Sequence, residues 1–354
     1  MKNPKTALAL LLALLLSLSM LGCAAGAENP SVADVDATPA TTADAPETSV
    51  PATDAPEGMI SIGILQYITH NALDSAREGF VQALADNGYV EGVNVTYDVQ
   101  NAQADTNNLS TAGNRFVNNK VDLVLAIATP AAQSIAALTS DIPILFTAVT
   151  DPVDVRLVAS AEVPGGNVTG TNDMNPIAEQ LDLLVRLAPE AKTVGILYAS
   201  SEDNSVIQAE IARVEAEERG LAVAEQTVTN ANEVQQAMQS LVGKCDAIYL
   251  PTDNTLASAM PTIGAVAEEY KIPVICGAST MVEDGGLATL GINYYNLGYQ
   301  TGEMAVRVLN GESTAAMPVE SLKDFDFIIN GSVAEAIGIT IPEDLRQYVI
   351  NGAE

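Results

Sequence analysis

Gly63-Ile64-Leu65-Gln66-Tyr67 and Gly195-Ile196-Leu197-Tyr198 are two versions of one short apolar run ending in a tyrosine. The first is followed by an amphipathic stretch ending at Gly88, with Leu73, Ala76, Phe80 and Leu84 at helical spacing. The second is followed by a helical stretch marked by Ile207, Ile211 and Val214 that ends at Gly220. Val121-Asp122-Leu123-Val124-Leu125 is echoed by Cys245-Asp246-Ala247-Ile248-Tyr249, and Asp141-Ile142-Pro143-Ile144-Leu145 by Lys271-Ile272-Pro273-Val274-Ile275. The echoes keep their order and lie 124 to 132 residues downstream. Strand-like runs alternating with amphipathic helices indicate βαβ units and parallel sheets. Doubling the series predicts two Rossmann-like α/β lobes of the same topology, one after the other.

Within the first series the pattern predicts strands at Ile60–Gln66, Val93–Val99, Leu123–Ala128 and Pro143–Thr147. Helices are predicted at Asn71–Asn87, Asp105–Asn119 and Pro130–Leu138. A further helix at Asn296–Leu309, stopped by Asn310-Gly311, has no sheet of its own and is expected to cross back onto the first lobe. The segment from about Phe325 would cross again. The predicted division is 59–172 plus 294–324 for lobe 1 and 173–293 plus 325–354 for lobe 2, joined by a multi-strand hinge.

The chain has 354 residues and a net charge of -30, with 48% hydrophobic residues and one histidine. That charge argues against a nucleic-acid partner, which needs an excess of Lys and Arg. With one histidine and three cysteines, a multi-histidine or cysteine-rich metal site is excluded, and no cofactor motif is present. Residues 1–22 read as a signal peptide: Lys2 and Lys5, an apolar run, then Met20-Leu21-Gly22-Cys23. The small residue before Cys23 resembles a bacterial lipoprotein signal, in which the cysteine is lipidated and becomes the new N-terminus. Residues 23–58 are acidic and rich in Ala, Thr, Pro and Asp, and read as a disordered tether. Cys245 and Cys276 are expected to be unbridged.

Ligands of open α/β sheets bind beyond the carboxyl ends of the strands. Those ends carry Tyr67 and His70; Thr129, Pro130, Ala131 and Ala132; Thr147 and Asp151; and Asn172 with Asp173. In the second lobe they carry Tyr198, Asn204, Ser205, Asp253, Asn254 and Ala278, and the hinge adds Asn293. Thr129-Pro130 reads as a helix start whose Ala131 and Ala132 amides could hold an α-carboxylate. Asp253 on the other lobe could pair with an α-ammonium. Without tryptophan, stacking on a ligand ring falls to Tyr67, Tyr198, Tyr294 or Phe146. His70 reads as a helix-start residue at the cleft rim rather than a catalyst.

Gly63–Tyr67, Ala126–Gln133 (AIATPAAQ), Phe146–Pro152 (FTAVTDP), Val168–Met174 (VTGTNDM), Tyr249–Thr255 (YLPTDNT) and Gly291–Gly302 (GINYYNLGYQTG) resemble the ABC transporter substrate-binding proteins of the tryptophan/tyrosine-type lipoprotein family. The resemblance covers about Met59 to Asn330. It implies a type I periplasmic-binding fold, a three-strand hinge, no catalysis and uptake of an aromatic amino acid in some members. Its motifs place Thr129, Ala131, Thr147, Asp151, Asn172, Asp173, Ser205, Asp253 and Asn254 in the cleft. The function expected is an extracytoplasmic, monomeric, lipid-anchored binder of an aromatic or branched-chain amino acid that serves an ABC permease and its ATPase. A ligand-sensing module for a membrane receptor would use the same fold. A Rossmann-like enzyme fits less well, because no glycine-rich phosphate loop or nucleophile elbow follows any strand.

Overall fold

The computed structural model describes residues 58–351. The expected signal peptide, Cys23 and all but the last residue of the expected tether lie outside the described residues.

The first series runs β1 (Ile60–Gln66), α1 (Asn71–Asp86), β2 (Val95–Asn101), α2 (Thr106–Asn119), β3 (Leu123–Ile127), α3 (Thr129–Ala136), β4 (Ile144–Val149) and β5 (Val168–Asn172). The second runs α4 (Ile177–Leu187), β6 (Thr193–Ala199), α5 (Asp203–Glu218), β7 (Ala222–Val228), α6 (Val234–Leu241), β8 (Ala247–Leu250), α7 (Asn254–Ser258), α8 (Met260–Tyr270), β9 (Val274–Cys276), α9 (Ser279–Glu283) and β10 (Ala288–Gly291). The chain closes with α10 (Tyr294–Leu309), β11 (Glu320–Ser321), β12 (Asp326–Asn330), α11 (Gly331–Ile337) and β13 (Val349–Ile350).

Two sheets result, ordered β11-β5-β4-β3-β1-β2 and β13-β12-β10-β9-β8-β6-β7. Pairing is parallel except between β10 and β12. Read from the outer strand, β2-β1-β3-β4-β5 and β7-β6-β8-β9-β10 are the same order, so the sequence echo is an echo of topology. In each sheet the order reverses between the first and third strands, which opens a crevice at their carboxyl ends. β3 is buried along its whole length, as a parallel strand covered on both faces must be.

The chain passes between the sheets after β5, after β10 and after β11. The helix expected to return does so: α10 packs against α1, β4 and β5 of the first sheet. Gly79 and Gly298 permit that contact, because a Cβ on Gly298 would lie 1.9 Å from the Ala76 carbonyl oxygen and one on Gly79 2.1 Å from that of Tyr295. β12 then adds to the second sheet.

Several boundaries differ from the sequence reading. β2 starts at Val95 rather than Val93, because residues 90–94 form a turn in which the Asn94 side chain accepts from the Val90 amide at 2.7 Å. Val93 is 72% exposed in that turn. α10 starts at Tyr294, with Asn293 as its N-cap accepting from the Asn296 amide. On α5 the markers Ile211 and Val214 face solvent, while Asn204, Ser205, Gln208, Ala212 and Ala216 are buried. The first turns of that inward face are polar, and there Gln208 donates to the Thr252 carbonyl and to Thr150. Cys245 and Cys276 are free thiols.

Candidate functional site

The carboxyl ends of both sheets face one narrow space between the lobes. The first lobe contributes His70, Ala72 and Leu73 at the start of α1, and Ala148 at the end of β4. The hinge contributes Asp173 and Tyr294. The second lobe contributes Asn204, Thr252, Asp253, Asn254, Ala257, Ala278, Thr280 and Met281. Ala148 reaches the space through an irregularity in the β4–β5 pairing, where it takes a positive φ of 57°.

Three carboxylates are buried at or behind this wall: Asp173 (2% exposed), Asp253 (1%) and Glu202 (0%). None of the ion pairs among the described residues involves them, and no Lys or Arg lines the cavity. Asp173 follows β5 on the first crossing. Its Oδ1 accepts from the Thr150 hydroxyl at 3.0 Å and its Oδ2 from the Tyr294 hydroxyl at 2.7 Å. Burial raises its carboxyl above the ordinary range, and the two hydroxyls pull it part of the way back.

Asp253 is occupied differently. Its Oδ2 accepts from the Ala199 amide at 2.6 Å and its Oδ1 from the Leu256 amide at 2.8 Å, capping α7. Burial, with the Glu202 charge added, raises its carboxyl. Glu202 takes four donors from the next strand end. Its Oε1 accepts from the Thr255 amide (2.9 Å) and hydroxyl (2.7 Å). Its Oε2 accepts from the Asn254 side-chain amide (2.6 Å) and backbone amide (3.3 Å).

Polar contacts join the lobes across the crevice. His70 Nε2 lies 3.2 Å from Asn254 Oδ1. Asn71 Nδ2 donates to both oxygens of Asp284 at 2.9 and 3.1 Å, and Gln133 Nε2 to Asp203 at 2.9 Å. Gln208 Nε2 donates to Thr150 Oγ1 at 3.2 Å. Desolvation between the lobes holds the His70 imidazole down to about 4, against the pull of Asn254 and Asp74.

Of the residues expected from sequence, His70, Asp173, Asn204, Asp253, Asn254 and Ala278 line the cavity. Ser205 stands directly behind, accepting from Asn204 Nδ2 at 3.3 Å. The others lie elsewhere. Thr129 is the first residue of α3, not its cap, and is buried outside the cavity lining. The Ala131 and Ala132 amides both donate to the Ala128 carbonyl at 3.1 Å, so this helix start offers them to no anion. Pro130 and Tyr67 line a second groove that both lobes share, with Ser201, Thr229 and Thr255 on its other side. Thr147 accepts from Thr171 Oγ1 within the first lobe. Asp151 accepts from the Val153 and Asp154 amides in its own turn. Asn172 accepts from Ser321 in the hinge, and Asn293 caps α10. Tyr198 points at Glu225 on the outer side, 3.5 Å away.

The helix start facing the cavity is that of α1. His70 makes no side-chain cap there, and Ala72 and Leu73 line the space. The first N–H groups of a helix have no intrahelical partners. Sequence reasoning places His70 at a helix start on the cleft rim but does not read that start as an anion site; it misses Met281 and does not single out Glu202, Thr252 or Thr280 within their strand ends. Glu202 lies between Tyr198 and Asn204, two residues expected at that strand end. A buried glutamate among exposed-looking Ser, Glu and Asp neighbours gives no periodic signal.

The sequence profile of the ABC transporter substrate binding protein family matches residues 61–351. The chain is 45% identical over 277 residues to the tyrosine-binding protein of Clostridioides difficile (strain R20291), covering 78% of this chain and 80% of that protein. It superposes with a TM-score of 0.80 and 41% identity on the ABC domain in complex with L-Trp from Streptococcus pneumonia, over 82% of this chain and 100% of that one. The ligand-free, open structure of a substrate binding protein with adhesive properties from Clostridium difficile is 46% identical, over 83% of this chain and 100% of that one. Its TM-score is 0.65. Higher identity with poorer superposition, together with the contacts across the crevice, identifies the arrangement described here as the closed one. The chain belongs to the ABC transporter substrate-binding protein family and has the type I periplasmic-binding fold. Proteins of this family are extracytoplasmic.

Proposed function

We propose that this family member captures a zwitterionic L-amino acid between its lobes, tyrosine or tryptophan first and branched-chain residues second, and delivers it to an ABC permease driven by its ATPase. The observation that carries this reading is Asp173, a carboxylate buried in the cavity wall with hydroxyl partners and no cation. A buried charge without a counter-charge is costly, and an α-ammonium group offsets that cost. The free amides at the start of α1 suit the α-carboxylate of the same ligand. Leu73, Met281 and Tyr294 offer apolar surface to its side chain. The binding named for two relatives, tyrosine and L-Trp, supports an aromatic ligand.

Asp173 replaces Asp253 as the ammonium partner in this reading, because both Asp253 oxygens already serve backbone amides. The test is Asp173→Asn, titrated calorimetrically with L-tyrosine. Loss of a charge-assisted bond is expected to weaken binding at least about tenfold; an unchanged Kd removes Asp173 from the role.

The remainder of the proposal concerns location and state: a monomer, anchored outside the cytoplasm by lipid on Cys23, with 23–58 as tether, and with lobes divided at 59–172 plus 294–324 and 173–293 plus 325–354. Cys23→Ser is expected to move the protein from the membrane fraction to the soluble one. Retention in the membrane fraction counts against lipidation.

A further inference from the structure

We infer that His70 reads the ligand's ammonium group through its Nδ1, and that the opposite lobe sets this role by fixing the tautomer of the ring. The inference rests on the amino-acid reading above. Its chain of cause begins at Glu202. Both carboxylate oxygens accept from Asn254 or Thr255 donors, and the shortest contact is to Asn254 Nδ2 at 2.6 Å. The Asn254 amide is therefore oriented: reversed, it would set Oδ1 against a carboxylate oxygen. With Nδ2 on Glu202, Oδ1 is the atom that meets His70 Nε2 across the crevice at 3.2 Å. An amide oxygen only accepts, so Nε2 carries the proton. A neutral ring with Nε2–H has a bare Nδ1.

That Nδ1 is shielded from solvent and has no partner within the protein. His70 lines the cavity, as does Asn204, whose Oδ1 is a second buried acceptor without a partner. Asn204 Nδ2 is spoken for by Ser205 Oγ and the Thr252 carbonyl, which fixes its oxygen as the free atom. The cavity thus offers the Asp173 carboxylate and two orphan acceptors, a set that matches the three N–H donors of a primary ammonium. His70 is also the N-cap residue of α1. Carboxylate and ammonium share one carbon in an amino acid, so a carboxylate on the α1 amides brings its ammonium near His70. Glu202 and Asn254 act through His70 and are positioning residues. Because they lie on the other lobe, the acceptor is completed only on closure.

The charged groups around His70 are Asp74 on its own helix, paired with Arg77, Asp173 and Asp253 in the cavity wall, and Glu202 behind Asn254. The chain has one histidine, so ¹⁵N-histidine labelling of the untagged protein yields a single imidazole. With saturating L-tyrosine the expected spectrum is one neutral Nε2–H tautomer that does not titrate between pH 7.5 and 5.5. Glu202→Gln, whose amide lets Asn254 turn over, is expected to lose the single tautomer and weaken L-tyrosine binding at least about tenfold. His70→Asn keeps an acceptor at the Nδ1 position and should bind L-tyrosine at least about tenfold more tightly than His70→Gln, which keeps only the Nε2 position. An Nδ1–H tautomer, a freely titrating ring in the bound state, or the opposite order of the two His70 variants overturns the inference while leaving amino-acid capture standing. Failure of L-tyrosine and L-tryptophan alike to bind overturns both.

Discussion

At the scale of residues, the cavity is built from polar groups whose partners come from distant segments. Asp253 and Asp173 are indistinguishable in sequence, each a lone aspartate at a strand end. Their surroundings differ: backbone amides of Ala199 and Leu256 reach one, while hydroxyls of Thr150 and Tyr294 reach the other. The strand-end rule does not tell these surroundings apart. His70 gives the wall a pH dependence. In the closed form its imidazole is lowered to about 4, against 6.5 when solvated. At His70 the closed form therefore binds fewer protons, and this contribution vanishes well above pH 6.5. Closure grows costlier as pH falls from 6.5 toward 4, since the ring must shed a proton to be buried. The Kd for L-tyrosine is expected to rise roughly twentyfold between pH 7 and pH 5, with a shallower rise in His70→Asn. A flat profile in the parent protein counts against a buried neutral ring.

At the scale of elements, most of the molecule is legible from hydrophobic periodicity. β1 falls where the sequence places it, and α1 ends one residue short of its expected end, with Asn87 as cap. The failures share a cause. Val93, Ile211 and Val214 are apolar residues facing water, and the polar Asn204, Ser205 and Gln208 face inward. Tertiary hydrogen bonds outweigh patterning there: Gln208 donates to the Thr252 carbonyl at 3.1 Å and to Thr150. The anion site predicted at Thr129-Pro130 fails for a local reason. The carbonyl of Ala128, the N-cap of α3, accepts the Ala132 amide as in any α-helix and the Ala131 amide as well. The helix pair α1 and α10 offers a direct test of packing. Gly298→Ala puts a Cβ 1.9 Å from the Ala76 carbonyl, so the helices must separate. A loss of about 3 kcal/mol in denaturant unfolding is expected, together with weaker ligand binding, because α1 carries the amides that meet the cavity. Unchanged stability would mean the two helices are not locked as described.

At the scale of the whole molecule, the doubled strand order was readable from four echoes, and the return of α10 from a helix without a sheet. Closure was not readable, because it is a relation between lobes held by a few side chains: His70 with Asn254, Asn71 with Asp284, Gln133 with Asp203. The radius of gyration in solution is expected to fall when L-tyrosine is added, and Asp284→Ala to shift the population toward the open form; a radius unmoved by ligand would deny a closing hinge. The central claim, capture of a zwitterionic amino acid between the lobes, is tested most directly by calorimetric titration of the protein with L-tyrosine. The account predicts one site per chain with a Kd of about micromolar or tighter, lost when the ammonium is acetylated and lost when the carboxylate is amidated. Equal binding of N-acetyl-L-tyrosine, or heat from a sugar and none from any L-amino acid, would contradict it.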